Sequence, residues 1–307
     1  IAITTKAGRG LARQSQADVY AAAGSFGLRE ARAGGTLVAG NLSIDAAANW
    51  RETDNDRANF RARTDGASLA AQWSNDWLRV GVRHATDHLD SGLPGALSAA
   101  QYEADPHQTN NPLDSASIRN QRSGVFGEAN VGDWQFGVDA GWRSKALRSQ
   151  TSGFAYDYDV DAHNVALRAK HAAKFGALAN SVVVGVDRNE WKRNLLGAFG
   201  AEANQRAIAV YAKDELTLAG GTRLSAGWRT EGVTKENSNS PGGIDERPNA
   251  WELGVVQPIA GGVSVYARYG RSFRLANVDE FGFTTPGLAL QTQTSRDAEL
   301  GARWAHA

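Results

Sequence analysis

The sequence predicts an all-β fold, a transmembrane antiparallel β-barrel of about fourteen strands. Three observations predict it. Apolar residues recur at every second position along successive segments. Short turns alternate with long polar connections. No apolar run approaches the roughly 20 residues of a membrane-spanning helix, and the strongest is Val182-Val183-Val184-Gly185-Val186.

The alternation is clearest from Trp134 to Arg143, where Trp134, Phe136, Val138, Ala140 and Trp142 occupy the even positions and polar residues or Gly the odd ones. That is a strand with one apolar face. The pattern returns in Leu78 to Arg83, Val165 to Lys170, Leu224 to Arg229 and Ala298 to Trp304. The second face carries Arg, Lys, Glu, Asp and Gly in place of the Ser and Thr common on a wetted soluble sheet.

Tight turns are expected at Gly40-Asn41, Ser74-Asn75-Asp76, Val131-Gly132-Asp133, Phe175-Gly176-Ala177, Ala219-Gly220-Gly221 and Ala260-Gly261-Gly262, which supply the Gly, Asn and Asp that hairpins need. Long polar stretches lie between them: Glu52 to Asp65, Leu89 to Ser117, Ser149 to Asp159, Trp191 to Gln205, Lys235 to Asn249 and Leu275 to Ser295. Six turns join twelve strands, and segments near Ala17 to Ser25 and Asp297 to Trp304 add two. Loops this long count against a compact soluble domain, yet outer-membrane barrels have short turns on one side and long loops on the other.

Strand length agrees. From Trp134 to Trp142 the chain covers about 26 Å at ~3.3 Å per residue, or roughly 20 Å along the membrane normal after a tilt near 40°. The two Trp are placed at opposite interfaces, with Trp73 and Trp77 at the short-turn end. Trp50, Trp191 and Trp228 fall near long-loop ends, where an aromatic girdle belongs.

Composition bounds the chemistry. Among 307 residues, 33 Lys plus Arg balance 33 Asp plus Glu. Nothing in that balance asks for nucleic acid. The absence of Cys removes disulfide scaffolds, thiolate metal sites and cysteine nucleophiles. The absence of Met, with no charged-then-apolar leader at Ile1-Ala2-Ile3-Thr4-Thr5, reads as a processed chain or a fragment.

No catalytic constellation, resident metal or cofactor is expected, and the chain does not read as an enzyme. His84 and His88 have a metal-like spacing for a helix, but on a strand four residues separate them by roughly 13 Å. Asp157-Tyr158-Asp159-Val160-Asp161 opens like a calcium loop, yet Ala162 and Arg168 stand where Gly and a bidentate Glu are required. Neither a P-loop nor a dinucleotide fingerprint appears, and Gly270-Arg271-Ser272-Phe273-Arg274 fails the G-x-S-x-G nucleophile elbow at its last position.

With the barrel argued, local segments become familiar. Ile1-Ala2-Ile3-Thr4-Thr5-Lys6 resembles the last plug strand of TonB-dependent outer-membrane receptors. Asp56 to Arg61, Ser91 to Ser98 and Ala104-Asp105-Pro106 are similar to early outer loops of that family. Val265 to Arg274, followed by Asn277-Val278-Asp279-Glu280, and Gln293-Thr294-Ser295 leading into Glu299-Leu300-Gly301, resemble its late-barrel strands. The resemblance implies residues 1–16 as the end of a plug and entry to the barrel. Residues 17–307 would then be a partial barrel, some fourteen of about 22 strands, with the plug domain absent.

It further implies a bacterial outer-membrane location among lipids, a TonB complex reached through the missing plug, and uptake of a scarce nutrient, a ferric siderophore first. Loop aromatics and cations suit a flat anionic metal chelate, and Tyr156, Tyr158, Trp191, Arg274 and Phe281 are the ligand-binding candidates. Arg79, Arg83, Arg143, Arg229 and Arg268 are the lumen-facing candidates for plug contacts. Residue types alone leave open the alternative, a passive porin-like or structural barrel whose polar lining holds nothing.

Overall fold

The computed structural model of the chain describes residues 14–197, 200–238, 240–276, 280 and 290–305. Its strands run in chain order as β1 (Gln16–Ala23), β2 (Arg29–Ala39), β3 (Leu42–Thr53), β4 (Ala62–Ser74), β5 (Leu78–Gly92), β6 (Ser115–Val131), β7 (Trp134–Thr151) and β8 (Phe154–Ala155). They continue as β9 (Tyr158–Phe175), β10 (Leu178–Leu195), β11 (Ala201–Thr217), β12 (Arg223–Asn237), β13 (Ser240–Glu246), β14 (Asn249–Pro258), β15 (Val263–Arg274) and β16 (Gln293–Trp304). Among the described residues one short helix, α1 (Ala99–Ala104), lies between β5 and β6.

All sixteen strands belong to one sheet, and neighbours along its path follow chain order. β8 and β13 lie off that path, paired with β7 and β12, which leaves the fourteen strands that the hydrophobic period predicts. All six expected turns are present. Gly40, Gly132, Gly176, Gly221, Gly261 and Gly262 have positive φ, the left-handed conformation that a tight hairpin demands and glycine adopts freely. The Asn75 turn is closed instead by a side chain: Asn75 Oδ1 accepts from the amides of Trp77 (3.1 Å) and Leu78 (2.7 Å).

Backbone contacts divide the chain into two compact units. One comprises Ile1–Gly127, Ala140–His163 and Lys192–Glu202; the other comprises Glu128–Asp139, Asn164–Trp191 and Ala203–Ala307. In the first, the register sets Leu42 opposite Trp73 and Trp73 opposite Val80, so these exposed apolar residues share a face with Leu69 and Val82. In the second, Trp228 stands opposite Trp251 and Ala267 opposite Leu300, on the face that also carries Leu224, Leu253 and Tyr269. Leu300 is 84% exposed. A face this apolar and this open is built for lipid, not for water.

The strands reach further than their apolar pattern suggests. The stretch read as a loop from Trp191 to Gln205 is strand as far as Leu195 and again from Ala201, and Lys235 to Asn249 is largely the β12–β13 hairpin. Beyond the hydrocarbon both faces of a strand meet water, so the apolar period stops while the hydrogen-bond ladder continues. Trp191 therefore lies inside β10. Two-residue alternation places it with Gly185 and Asp187, away from the exposed Val184 and Val186, so it does not join the aromatic girdle.

Candidate functional site

The polar face is organised by glycines that aromatic rings cover. In the first unit Phe126 lies over Gly81, where an added Cβ would come within 2.5 Å of the ring, and the guanidiniums of Arg79 and Arg83 stand 4.8 and 6.0 Å from its centroid. In the second unit Tyr211 covers Gly185 beside Arg229, and Tyr266 covers Gly301 beside Arg303. Each ring shields backbone on a neighbouring strand and holds a cation against its π face.

The five arginines expected on this face are engaged across strands. Arg229 reaches Asp187 on β10 at 2.7 Å and Glu231 of its own strand at 3.2 Å. Arg268 reaches Glu252 at 2.6 Å and Glu299 at 3.8 Å. Arg143 donates to Asn120 Oδ1 at 3.2 Å. Arg229 and Arg268 both line a cavity of about 530 Å³ in the second unit, with Asp187, Tyr211, Lys213 and Glu252. In the first unit Arg83 lines a cavity of about 960 Å³ with Asp18, Asp45 and Arg122. Such walls offer alternating donors and acceptors to whatever occupies them.

At the long-connection end of the first unit, the two outer-loop segments singled out in the sequence meet. Arg57 donates to the carbonyls of Gly95, Pro94 and Gln108. Asn59, held at φ 54°, donates to the carbonyls of Asn111 (2.5 Å) and Asp114 (2.8 Å). Asp114, only 4% exposed, accepts in turn from the Ser152 amide at 2.8 and 2.9 Å. Ser98 and Gln101 close a capping box on α1. Three connections are thus tied into one framework.

Tyr156 and Tyr158 come together beside that framework with ring centroids 5.8 Å apart, edge to face. Lys145 donates to the Tyr158 hydroxyl at 2.8 Å. The neighbouring carboxylates are committed locally: Asp157 accepts from the Ser149 amide and Asp159 pairs with Arg148 at 2.8 Å. His84 and His88, read as unconnected, bond separately to Ser123 and Ser117.

In the second unit Arg274 ends β15 and donates to Glu280 at 2.5 Å and Gln293 at 3.2 Å. Lys235, 4% exposed, donates to the Ala276 carbonyl. It lies seven residues beyond Trp228 on β12, outside the membrane-spanning part, and burial pushes its ammonium below the usual lysine range against the pull of Glu280 and Glu246. Phe281 lies outside the described residues. Sequence reasoning named none of Arg57, Asn59, Lys145 and Lys235 as a site residue, although Arg57 and Asn59 lie in the segment Asp56 to Arg61 that it singled out and alternation pairs Lys145 with Arg143.

The decisive comparison is with a family of sequences. The family described as TonB dependent receptor-like, beta-barrel matches residues 5–307. The chain belongs to that family. TonB-dependent receptor barrels are outer-membrane proteins of receptor and transport type. No curated protein matches the chain. Among solved structures it is similar to the ferric citrate transporter FecA in its unliganded form (15% identity, TM-score 0.80, 94% of this chain and 48% of that one). It is also similar to the siderophore receptor PiuA from Acinetobacter baumannii (12%, 0.82, 96% and 55%). The ferric-catecholate import receptor Fiu from E. coli K12 gives 13%, 0.79, 95% and 56%. The chain spans about half the length of these structures, and likeness at such identities shows the TonB-dependent barrel fold.

Proposed function

We propose that this chain is the greater part of the wall of an outer-membrane receptor that imports a ferric siderophore by TonB-dependent coupling. In this reading residues 1–16 pass from a plug into the barrel and residues 17–307 form barrel wall. Family membership over residues 5–307 is the observation that carries it. The similar structures whose names include ferric citrate, siderophore and ferric-catecholate support the same cargo. Arg79, Arg83, Arg143, Arg229 and Arg268 would face the plug, and TonB would be engaged through that plug. Tyr156, Tyr158, Trp191, Arg274 and Phe281 would meet the chelate.

An anionic chelate is recognised by cations, and aromatic rings add stacking against its flat apolar parts. Arg274 is already neutralised by Glu280, so the bound chelate must compete with that carboxylate. The test is titration of the receptor that carries this chain with a panel of ferric siderophores. Arg274→Ala should weaken an anionic chelate roughly tenfold to a hundredfold, the loss of one charge-assisted contact, whereas Glu280→Gln should tighten it. Absence of binding below millimolar across the panel, or a silent Arg274→Ala, would overturn the assignment.

A further inference from the structure

The apolar face of the first unit changes chemistry at one height. Its residues stand in opposed rows across β2 to β5: Leu37, Ile44, Ala71 and Val82 in one, and Ala31, Trp50, Asp65 and His88 three steps further out. Trp50 marks the interface, as an aromatic residue at that position does in a membrane barrel. The next row is Arg29, Glu52, Arg63 and Asp90. It lies one residue pair beyond Trp50, about 7 Å along the strand at ~3.3 Å per residue, at the level of lipid headgroups.

A cavity of about 670 Å³ opens at this level, lined by Arg61, Arg63, Arg148, Ser115, Ser117 and Gln150 among others. Alternation puts Arg148 and Gln150 on the Trp142 face of β7, and Ser115 and Ser117 on the Val125 face of β6. The cavity therefore opens toward lipid, not into the polar interior. Arg61, Arg63 and Arg148 keep 67%, 55% and 44% of their side chains exposed. Each is balanced by one carboxylate: Arg61 by Glu52, Arg63 by Asp65 at 3.7 Å and Arg148 by Asp159 at 2.8 Å. Among the lining carboxylates, Asp157 accepts from Ser149 N and Asp90 faces His88 at 3.2 Å. A guanidinium has five N–H donors, more than one carboxylate can take.

The second unit also carries cations on its apolar face. Arg271 and Arg296 stand directly opposite each other in the row of Trp228 and Trp251. Arg271 donates to a neutral acceptor, Asn249 Oδ1, at 3.4 Å. Opposed cations repel unless an anion lies between them.

We propose that the lipid-facing cavity of the first unit binds the phosphorylated glycolipid headgroup of the outer leaflet. Arg61, Arg63 and Arg148 hold a phosphate, and Ser115, Ser117 and Gln150 take sugar hydroxyls. A guanidinium fork pairs with phosphate through two parallel N–H donors, which these arginines can supply from the donors their carboxylates leave over, and a cargo crossing the interior never meets this face. The site is independent of which nutrient the receptor imports.

Native mass spectrometry of the receptor carrying this chain, purified in detergent from outer membranes, counts retained lipid A. The Arg63→Ser/Arg148→Ser double variant should lose retention roughly thirtyfold, since each basic residue at a membrane surface contributes about a factor of five. The Arg63→Lys/Arg148→Lys variant should keep most of it, and Lys174→Ser, at the short-turn end, should keep all. Heat-modifiable migration on gels confirms that each variant is folded. Equal retention in the double variant, an equal loss in Lys174→Ser, or displacement of the lipid by millimolar inorganic phosphate would overturn the proposal.

Discussion

The guanidinium of Arg57 donates to the Gly95 carbonyl at 2.8 Å and, through its other nitrogens, to Pro94 and Gln108. One side chain on the β3–β4 connection therefore holds both limbs of the β5–β6 connection. Gly95 permits this because its φ of 72° turns the chain there, and a Cβ would come within 2.9 Å of Asn111. A hydrogen bond with one charged partner contributes about 1.5 to 3 kcal/mol. Arg57→Ala should release residues 93–114 and raise their limited-proteolysis rate at least tenfold, while Arg57→Lys, whose compact ammonium cannot span three carbonyls, should rescue only part. Unchanged cleavage would show that Asn59 holds the framework alone.

The covered glycines make a second prediction. A methyl group on Gly185 would overlap the Tyr211 ring, and one on Gly301 would come within 2.5 Å of Tyr266, whereas a Cβ on Gly227 meets nothing within 4 Å. Overpacking of this kind costs about 1 to 3 kcal/mol. Gly185→Ala and Gly301→Ala should lower the urea midpoint in detergent, and Gly227→Ala should leave it nearly unchanged. Equal midpoints for all three would remove any packing role for the rings.

Lipid exposure is tested on β7. Val138 is 44% exposed on the Trp134 and Trp142 face, and Asp139 follows on the other. Val138→Arg should cost about 2 to 4 kcal/mol on refolding into lipid vesicles, and Asp139→Arg much less. Comparable penalties would contradict the assignment of the two faces.

The wall was legible because lipid imposes a strict period on it. Every second residue from Trp134 to Trp142 had to be apolar, and turn glycines such as Gly132 and Gly176 had to break the ladder. The arginines of the polar face followed from the same alternation, as Arg229 with Asp187 and Arg268 with Glu252 show. The outer ends were not legible. Past the girdle no solvent contrast marks either face, so β10 and β11 read as loop around Trp191. Arg57 and Asn59 act through main-chain carbonyls of residues 51 and 52 positions away, at Gln108 and Asn111. A carbonyl has no sequence signature, so only the fold reveals such a tie.

Lys235 supplies the pH prediction. Its side chain is 4% exposed and donates to the Ala276 carbonyl, with Glu246 and Glu280 as the nearby carboxylates. Burial disfavours the charged ammonium more than the two carboxylates favour it, so the folded lysine holds its proton less tightly than the unfolded one, whose value is 10.5. Between the lowered folded value and 10.5 the unfolded chain binds more protons, and stability must rise with pH across that window. Below it the penalty is complete and constant. Lys235→Met removes the titration while keeping most of the volume. Urea unfolding of both proteins in detergent should show the wild type gaining on the variant as pH climbs through that window toward 10.5, after effects common to both cancel. If the wild type instead loses ground over that range, the attraction of Glu246 and Glu280 outweighs burial, and Lys235 is a charge held in place by its partners.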